Sequence, residues 1–291
     1  MKEKVFVTGI CGFIGSHLAA EAIRQGYDVS GLAHCGKPVP GARVTVGDIR
    51  DRELLRKASE HADYFVHLAA VTSNLEFESK TDYSFDVNVG GFFSAIGAAK
   101  ENGCRKFLYA SSAAIYIDSF SERSPIPFSD QKNHYAKTKM MNEMIAESYA
   151  KVGGMQTLGL RFFNVYGPGE NDKGNYASII SQFAVSSKKG DDLVVYGDGS
   201  QARDLIHVGD VAAITLKLMK SGAGGVLNVG TGRATPYEEI ADLINREKKV
   251  HVRNPLSSYQ HLTRADTAEL FKHIGRHKFM DVHEGITSLL S

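Results

Sequence analysis

Residues 4–15 read KVFVTGICGFIG: a short apolar run, three spaced glycines and the start of a helix-like pattern. The run Lys4–Thr8 predicts a strand, and the apolar residues of Phe13–Arg24 recur at helical spacing. Glycines between a strand and a helix let the backbone approach a pyrophosphate, whose charge then sits at the helix N-terminus. The segment therefore predicts a dinucleotide-binding loop. Its candidate cofactor-binding residues are Gly9, Gly12, Phe13, Ile14 and Gly15.

Strands and helices alternate beyond this loop. We expect further strands at 28–32, 43–46, 64–68, 106–110 and 157–161, and helices at 51–59, 85–102 and 132–151. Alternation of this kind predicts an α/β fold, a Rossmann-type doubly wound parallel sheet. The pattern loosens after Pro168, which predicts a smaller C-terminal substrate-binding lobe. We place a dinucleotide-binding domain at 1–165, with a returning segment near 202–230, and the substrate-binding lobe mainly at 166–291.

One later helix start carries several signals at once. Thr235 is expected to cap the helix and Pro236 to occupy its first position. Glu238 would then complete a capping box with Thr235.

Composition excludes several classes of protein. The 291 residues are 43% hydrophobic, which rules out wholesale disorder, and the net charge of +1 shows no basic excess for nucleic acid or an anionic membrane. No apolar run approaches the ~18 residues of a membrane span. The three cysteines form no CxxC pair, so neither a disulfide framework nor a metal site is expected. With no signal-peptide layout, the expected location is cytoplasmic.

A tyrosine and a lysine four residues apart form the candidate catalytic pair. Tyr135 and Lys139 would share one face of a helix. A free tyrosine has a pKa near ~10. A neighbouring ammonium favours its phenolate, as does the positive charge of an oxidised nicotinamide, and both bring a general base toward working pH. Ser112 follows the apolar run 106–110 and can hydrogen-bond a reacting hydroxyl at the carboxyl end of that strand. Ser111 is interpreted as a turn former.

The choice between NAD and NADP stays open. An acidic residue about 20 positions after the glycine loop would hold the ribose 2′-hydroxyl of NAD. No Asp or Glu stands between Asp28 and Asp48. His34, Lys37 or Arg43 could instead face a 2′-phosphate, and His34 is a candidate cofactor contact.

These motifs together resemble the extended short-chain dehydrogenase/reductases of the nucleotide-sugar epimerase/dehydratase family. The GxxGxxG spacing, the YxxxK pair, RFFNVYGP at 161–168 and RDLIHVGDVA at 203–212 carry the resemblance. It implies an NAD(P)-dependent enzyme with a nucleotide-sugar substrate, and a homodimer formed through the helices near 85–102 and 132–151. It also implies further cofactor contacts at Asp48, Ile49, Leu68, Ala69 and Ala70, with Tyr135 and Lys139 beside the nicotinamide. Ser112, Asn164, Arg203 and Tyr259 are the implied substrate contacts.

The resemblance favours an epimerase that transiently oxidises the sugar to a keto-sugar and reduces it again. Family dehydratases and decarboxylases carry an acid just after the active-site Ser or Thr, whereas Ala113 and Ala114 follow Ser112. A UDP-hexose 4-epimerase is the first reading. An ADP-heptose 6-epimerase is the alternative, because residues 171–178 and 258–266 resemble that enzyme and Lys173 would be its second acid/base. A net sugar dehydrogenase or reductase and a non-catalytic dinucleotide sensor remain further alternatives.

Overall fold

The structure, a computed structural model, describes residues 2–34, 38–116, 127–170, 177–253 and 261–290. Within these ranges the strands are β1 Lys4–Thr8, β2 Asp28–Ala33, β3 Arg43–Val46, β4 Tyr64–His67, β5 Lys106–Ser112, β6 Thr157–Phe162, β7 Asn164–Tyr166, β8 Leu193–Tyr196, β9 Ala202–His207, β10 Gly225–Val229, β11 Ala234–Pro236 and β12 Lys249–Val252. The α-helices are α1 Phe13–Arg24, α2 Arg52–Ala58, α3 Asn74–Ser79, α4 Thr81–Phe85, α5 Gly91–Glu101, α6 His134–Lys151, α7 Ile179–Lys189, α8 Val208–Lys220, α9 Tyr237–Asn245, α10 Ala268–Ile274 and α11 Val282–Leu290. None of these described helices has the length and apolar character needed to cross a membrane.

Seven parallel strands form the central sheet in the order β10-β6-β5-β4-β1-β2-β3. The chain runs from β1 outward through β2 to β3, then returns to β4 on the other side of β1. The strand order therefore reverses between β1 and β4, and open α/β sheets bind ligands at the carboxyl ends of strands at such a reversal. Thr8 lies opposite His67 there. The predicted Rossmann-type doubly wound sheet is confirmed.

Helices cover both faces of this sheet. On β1, Val5 and Val7 pack into the core beneath α1 and α8, whereas Phe6 packs into the opposite core beneath α2 and α5. Successive strand residues point to opposite faces, and all three of these side chains are fully buried. A strand covered on both faces favours apolar residues at successive positions, which explains the apolar run Tyr64–Val66 in β4.

The later part of the chain contributes to the central sheet and also builds its own core. β10 pairs with β6 at the sheet edge, and α8 packs against α1. Beyond these, β11, β9 and β7 form a three-stranded sheet, and β12 pairs with β8. α7, α9 and α11 pack together around a separate core that includes Phe183, Leu193 and Ile240. The domain boundary near 165 stays a prediction.

Two local expectations differ from the structure. The helix expected over 85–102 consists of α4, a π-helical segment Asp86–Gly90 and α5. The expected cap at Thr235 is wrong, because Thr235 pairs with Arg203 in β11 and α9 begins at Tyr237 with no capping side chain. Residues 235 and 236 pair with β9 in an extended conformation, so they cannot form the start of a helix. Glu238 binds Lys249 and His251 instead of completing a capping box.

Candidate active site

The three glycines close the turn between β1 and α1. Gly9 has a φ of +70°, and a Cβ there would lie 2.9 Å from the backbone nitrogen of Ala69. A Cβ on Gly15 would lie 2.1 Å from the carbonyl oxygen of Gly9. Gly12 is the N-cap of α1, which has no capping side chain and no acidic residue in its first turn. The helix N-terminus therefore suits a pyrophosphate, and the loop fits a bound dinucleotide. The first two helical residues are Phe13 and Ile14.

The loop after β4 is fastened to the glycine loop. The Thr8 hydroxyl oxygen accepts hydrogen bonds from the backbone N–H groups of Leu68 at 3.2 Å and Ala69 at 3.3 Å. It also lies 3.0 Å from Nδ1 of His67. Burial, together with the charge of Lys139, lowers the pKa of His67 to about 3, so this imidazole is neutral at physiological pH. The predicted contacts in this loop, which are Leu68, Ala69 and Ala70, thus lie at the reversal of strand order.

The predicted adenosine contacts lie beyond the ends of β2 and β3. Asp48 and Ile49 lie between β3 and α2. Arg50 donates two side-chain hydrogen bonds to the Asp48 carboxylate, from Nε at 2.9 Å and from Nη2 at 2.5 Å. These bonds lower the pKa of Asp48 to about 2, with a smaller contribution from His34, which is exposed. The candidate cofactor contacts His34 and Asp48 therefore lie near each other. Lys37 is outside the described residues.

Ser112, Tyr135 and Lys139 come together where β5 ends. Ser112 is the last residue of β5, and its hydroxyl is hydrogen-bonded to the phenol of Tyr135 near the start of α6. Nζ of Lys139 lies 5.6 Å from the centroid of the Tyr135 ring and donates to the carbonyl oxygen of Ala110 at 2.9 Å. The predicted catalytic set is thus assembled by one strand and one helix.

Burial dominates the protonation of this set in the protein alone. It raises the pKa of Tyr135 above its ordinary value, and the hydrogen bond with Ser112 offsets only part of that rise. The expectation that neighbouring positive charge brings the phenol toward working pH stays a prediction for the complex with oxidised NAD. Burial also lowers the pKa of Lys139 to about 8, against the opposing charge of Glu143. A phenolate at neutral pH needs additional positive charge in the site.

Asn88 joins the loop after β4 to α6, the helix that carries Tyr135 and Lys139, and sequence reasoning missed it. Its Nδ2 donates to the carbonyl oxygen of Val71 at 2.9 Å and to the Thr138 hydroxyl at 3.2 Å. Its Oδ1 accepts from the backbone nitrogen of Val71 at 2.7 Å. Asn88 lies in the π-helical segment between α4 and α5. A polar amide two residues before the pair Gly90–Gly91, within an apolar helix pattern, was the available signal.

The predicted substrate residues flank Asp204. Nδ2 of Asn164 donates to the backbone oxygen of Asp204 at 3.1 Å and to the Thr263 hydroxyl at 3.0 Å. The Arg203 guanidinium lies 5.3 Å from the centroid of the Tyr237 ring and donates to the carbonyl oxygen of Ala202 at 2.9 Å. It is almost fully buried. The positions of Lys173 and Tyr259 lie outside the described residues.

Comparisons with known proteins identify the family. The model of the NAD-dependent epimerase/dehydratase family matches residues 5–230. The chain belongs to that family. It is therefore an NAD-dependent enzyme of the epimerase/dehydratase type. Among the described residues, no group of His, Cys, Asp and Glu side chains is placed to hold a metal ion.

Its relatives within the family carry out different reactions. The chain is 31% identical over 254 residues to a Methanocaldococcus jannaschii protein provisionally named a UDP-glucose 4-epimerase, covering 84% of this chain and 82% of that one. It is 30% identical to UDP-N-acetyl-alpha-D-glucosaminuronate decarboxylase of Bacillus cytotoxicus, covering 87% and 84%. The solved UDP-glucose 4-epimerase of Thermotoga maritima, with UDP-glucose, superposes with a TM-score of 0.90 at 25% identity, covering 99% and 97%. Membership alone therefore leaves the reaction open.

Proposed function

We propose that this protein is a nucleotide-sugar epimerase, acting on a UDP-hexose at C4. The observation that carries the proposal is the grouping of Tyr135, Ser112 and Lys139, in which Ser112 is followed in the chain by two alanines rather than by an acidic residue. Ala113 and Ala114 form a short 3₁₀ turn after Ser112, where family dehydratases and decarboxylases place an acid. The similarity to UDP-glucose 4-epimerases supports the same choice.

The side chains divide the chemistry between them. Ser112 donates a hydrogen bond that positions the reacting sugar hydroxyl, and the Tyr135 phenolate takes the proton of that hydroxyl. NAD, when bound, would supply a reversible hydride acceptor whose oxidised ring is positively charged. That positive charge opposes the upward pKa shift that burial gives Tyr135. Tyr135 then returns its proton to the oxygen once the keto-sugar has presented its other face, and the centre is inverted.

Residues 166–291 would mainly bind the nucleotide sugar in this proposal. Asn164 would lie near the sugar diphosphate, and Arg203 would donate to its phosphate oxygens, for which a guanidinium fork is well suited. In the structure, Nη1 of Arg203 donates a hydrogen bond to the carbonyl oxygen of Ala202.

Proton NMR tests the reaction. The purified protein is mixed with UDP-galactose and no added cofactor, and the anomeric signal of UDP-glucose is followed. Its appearance supports a 4-epimerase with a retained cofactor, and the nucleotide released on denaturation identifies NAD or NADP. If UDP-galactose stays unchanged while a dinucleotide is released, 4-epimerisation of UDP-hexose is refuted, and ADP-heptose becomes the next substrate to test.

Replacing Tyr135 tests the mechanism. Tyr135→Phe removes the acid/base oxygen and keeps the ring, so we expect the rate to fall by at least about 100-fold with an unchanged melting temperature. Tyr149→Phe is the matched control, since Tyr149 lies on the same helix and its ring packs against Phe93 and Lys100. Near-normal turnover by Tyr135→Phe would refute the assigned base.

We also propose that the protein forms a homodimer through α5 and α6. These two helices pack against each other, and they expose Phe93 and Met144, which are 48% and 63% accessible. Exposed apolar side chains on paired helices are typical of an interface with a second copy. Light scattering should give a dimer mass, and Phe93→Glu with Met144→Glu should give a monomer. A monomeric parent protein would refute this.

A further inference from the structure

Helix α6 contacts β5 through a series of residues spaced four apart. Tyr135 bonds to Ser112, and Lys139 donates to the carbonyl oxygen of Ala110 at 2.9 Å. Between these two strand positions, the Ser111 hydroxyl donates to Oε1 of Glu143 at 2.5 Å. Residues four apart lie on one helix face. The three consecutive strand residues at 110–112 therefore each contact a different one of these three helix residues. Glu143 is thus the third member of the series that contains the catalytic pair.

The Glu143 carboxylate is itself held by a buried arginine. Arg161 on β6 donates to Oε1 from Nε at 2.9 Å and to Oε2 from Nη2 at 2.7 Å. Its Nη1 donates to the hydroxyl of Tyr116 at 2.7 Å, and that hydroxyl donates to Oδ1 of Asn228 at 2.7 Å. The side chains of Arg161 and Glu143 are only 3% and 14% exposed. A two-pronged ion pair in the interior fixes the carboxylate in one place.

We propose that Glu143 is a positioning residue for the reaction. Its carboxylate fixes the register of α6 against β5 and keeps Lys139 charged beside Tyr135. Only the kinetic part of its test rests on the proposed epimerase function, because the titration of Tyr135 needs no turnover.

The charges around Lys139 give the direction of the effect. From its own helix, Lys139 is faced by Tyr135 and Glu143; from β4 it is faced by His67, which is neutral. Burial lowers the pKa of Lys139 to about 8, and the negative charge of Glu143 raises it. Replacing the carboxylate by a neutral amide removes the charge that opposes the effect of burial on Lys139, and it leaves the buried Arg161 guanidinium without its counter-charge. Lys139 would then lose its proton at lower pH, and the Tyr135 phenolate would lose its cationic neighbour.

The test is a pH titration of Tyr135 in the purified holoenzyme. The ultraviolet absorbance of phenolate is recorded for each protein, and the signal of its Tyr135→Phe partner is subtracted. In Glu143→Gln we expect the apparent pKa of Tyr135 to rise by about one unit. The acid limb of the kcat profile should move by the same amount, which lowers turnover at neutral pH about tenfold.

Three further variants separate charge from folding. Glu143→Asp keeps the charge and should restore most of the parental titration. Glu147→Gln is the matched control one turn further along α6, where the carboxylate is exposed and pairs with Lys151 at 2.5 Å; its titration should equal that of the parent. If Glu143→Gln fails to fold, Glu143→Gln/Arg161→Gln leaves no unpaired buried charge and should shift the titration in the same direction by less.

The outcomes distinguish this inference from the proposed function. A parental titration and kcat profile in Glu143→Gln, or in the double variant, would overturn the role of Glu143 while leaving the epimerase proposal intact. A parent protein that converts no nucleotide sugar would refute the proposed function, and the Tyr135 titration would still decide the role of Glu143.

Discussion

Asp204 holds together three separated parts of the chain, and replacing it should loosen all of them. Its fully buried carboxylate accepts from the Thr231 backbone nitrogen at 2.8 Å and the Thr231 hydroxyl at 2.7 Å. The other oxygen accepts from the backbone nitrogens of Gly232 at 2.8 Å and Ala265 at 2.9 Å. Strand β9, the loop after β10 and the segment around residue 265 therefore meet at one side chain.

The expected loss of stability follows from these bonds. Asp204→Ala would leave the backbone N–H groups of Thr231, Gly232 and Ala265 without their acceptor. At about 1–3 kcal/mol for each unsatisfied buried group, the loss is about 3–9 kcal/mol. The whole free energy of unfolding of a domain is typically about 5–15 kcal/mol, so this variant should be barely folded.

Asp204→Asn should be milder. The amide can turn its oxygen toward Gly232 and Ala265 and donate its NH₂ to the Thr231 hydroxyl, which leaves one backbone N–H unsatisfied. We expect a loss of about 1–3 kcal/mol. The lower half of that range is favoured, since burial raises the pKa of Asp204 and the neutral amide avoids that desolvation.

Urea denaturation followed by far-ultraviolet circular dichroism measures both variants, because the chain has no Trp for fluorescence. Asp198→Asn is the control. Asp198 is exposed, and its carboxylate accepts hydrogen bonds from the backbone nitrogen and the hydroxyl of the neighbouring Ser200, so the midpoint of this variant should equal that of the parent. A parental midpoint in Asp204→Ala would refute the reasoning.

Two further predictions concern the glycine loop and a buried lysine. Gly9→Ala should lose the retained dinucleotide, measured after denaturation, because its Cβ would lie 2.9 Å from the Ala69 nitrogen at a φ of +70°. Gly26→Ala, at φ +91° in open space, should lose about 1–2 kcal/mol of stability and keep its cofactor; full cofactor content in Gly9→Ala would contradict this. Lys106 donates to the carbonyl oxygens of Leu218 and Ser221, and burial lowers its pKa to about 8. Between that pKa and the unfolded value of about 10.4, folding releases a proton, so the free energy of unfolding rises with pH. Lys106→Met should flatten that rise between about pH 8 and about pH 10 in urea midpoints, and an unchanged slope would count against it.

Much of the central sheet could be predicted because its signals are local. The apolar runs at β1 and β4 and the helical spacing of α1 lie within a few residues of each other, and the structure gives β1 and α1 the predicted bounds. The start of α9 could not be predicted in the same way. Its capping residues were present, but pairing of Thr235 with Arg203, far away in sequence, took precedence over them.

The candidate site shows the same division. The glycine loop and the Tyr135–Lys139 pair were readable because each motif is contiguous, and the spacing alone places its members on one turn or one helix face. The roles of Asn88 and Glu143 could not be read, since their partners Val71 and Arg161 come from other strands and loops.

The amino-acid sequence alone was enough to predict the doubly wound sheet, and it identified the glycine loop and the Ser–Tyr–Lys set as candidates, because short-range spacing encodes each of them. Folding was needed to set the protonation of that set. Burial raises the pKa of Tyr135 and lowers that of Lys139, whereas Glu143 opposes the shift of the lysine. Desolvation and charge proximity depend on which distant segments pack around a group, and no local pattern in the chain carries that information.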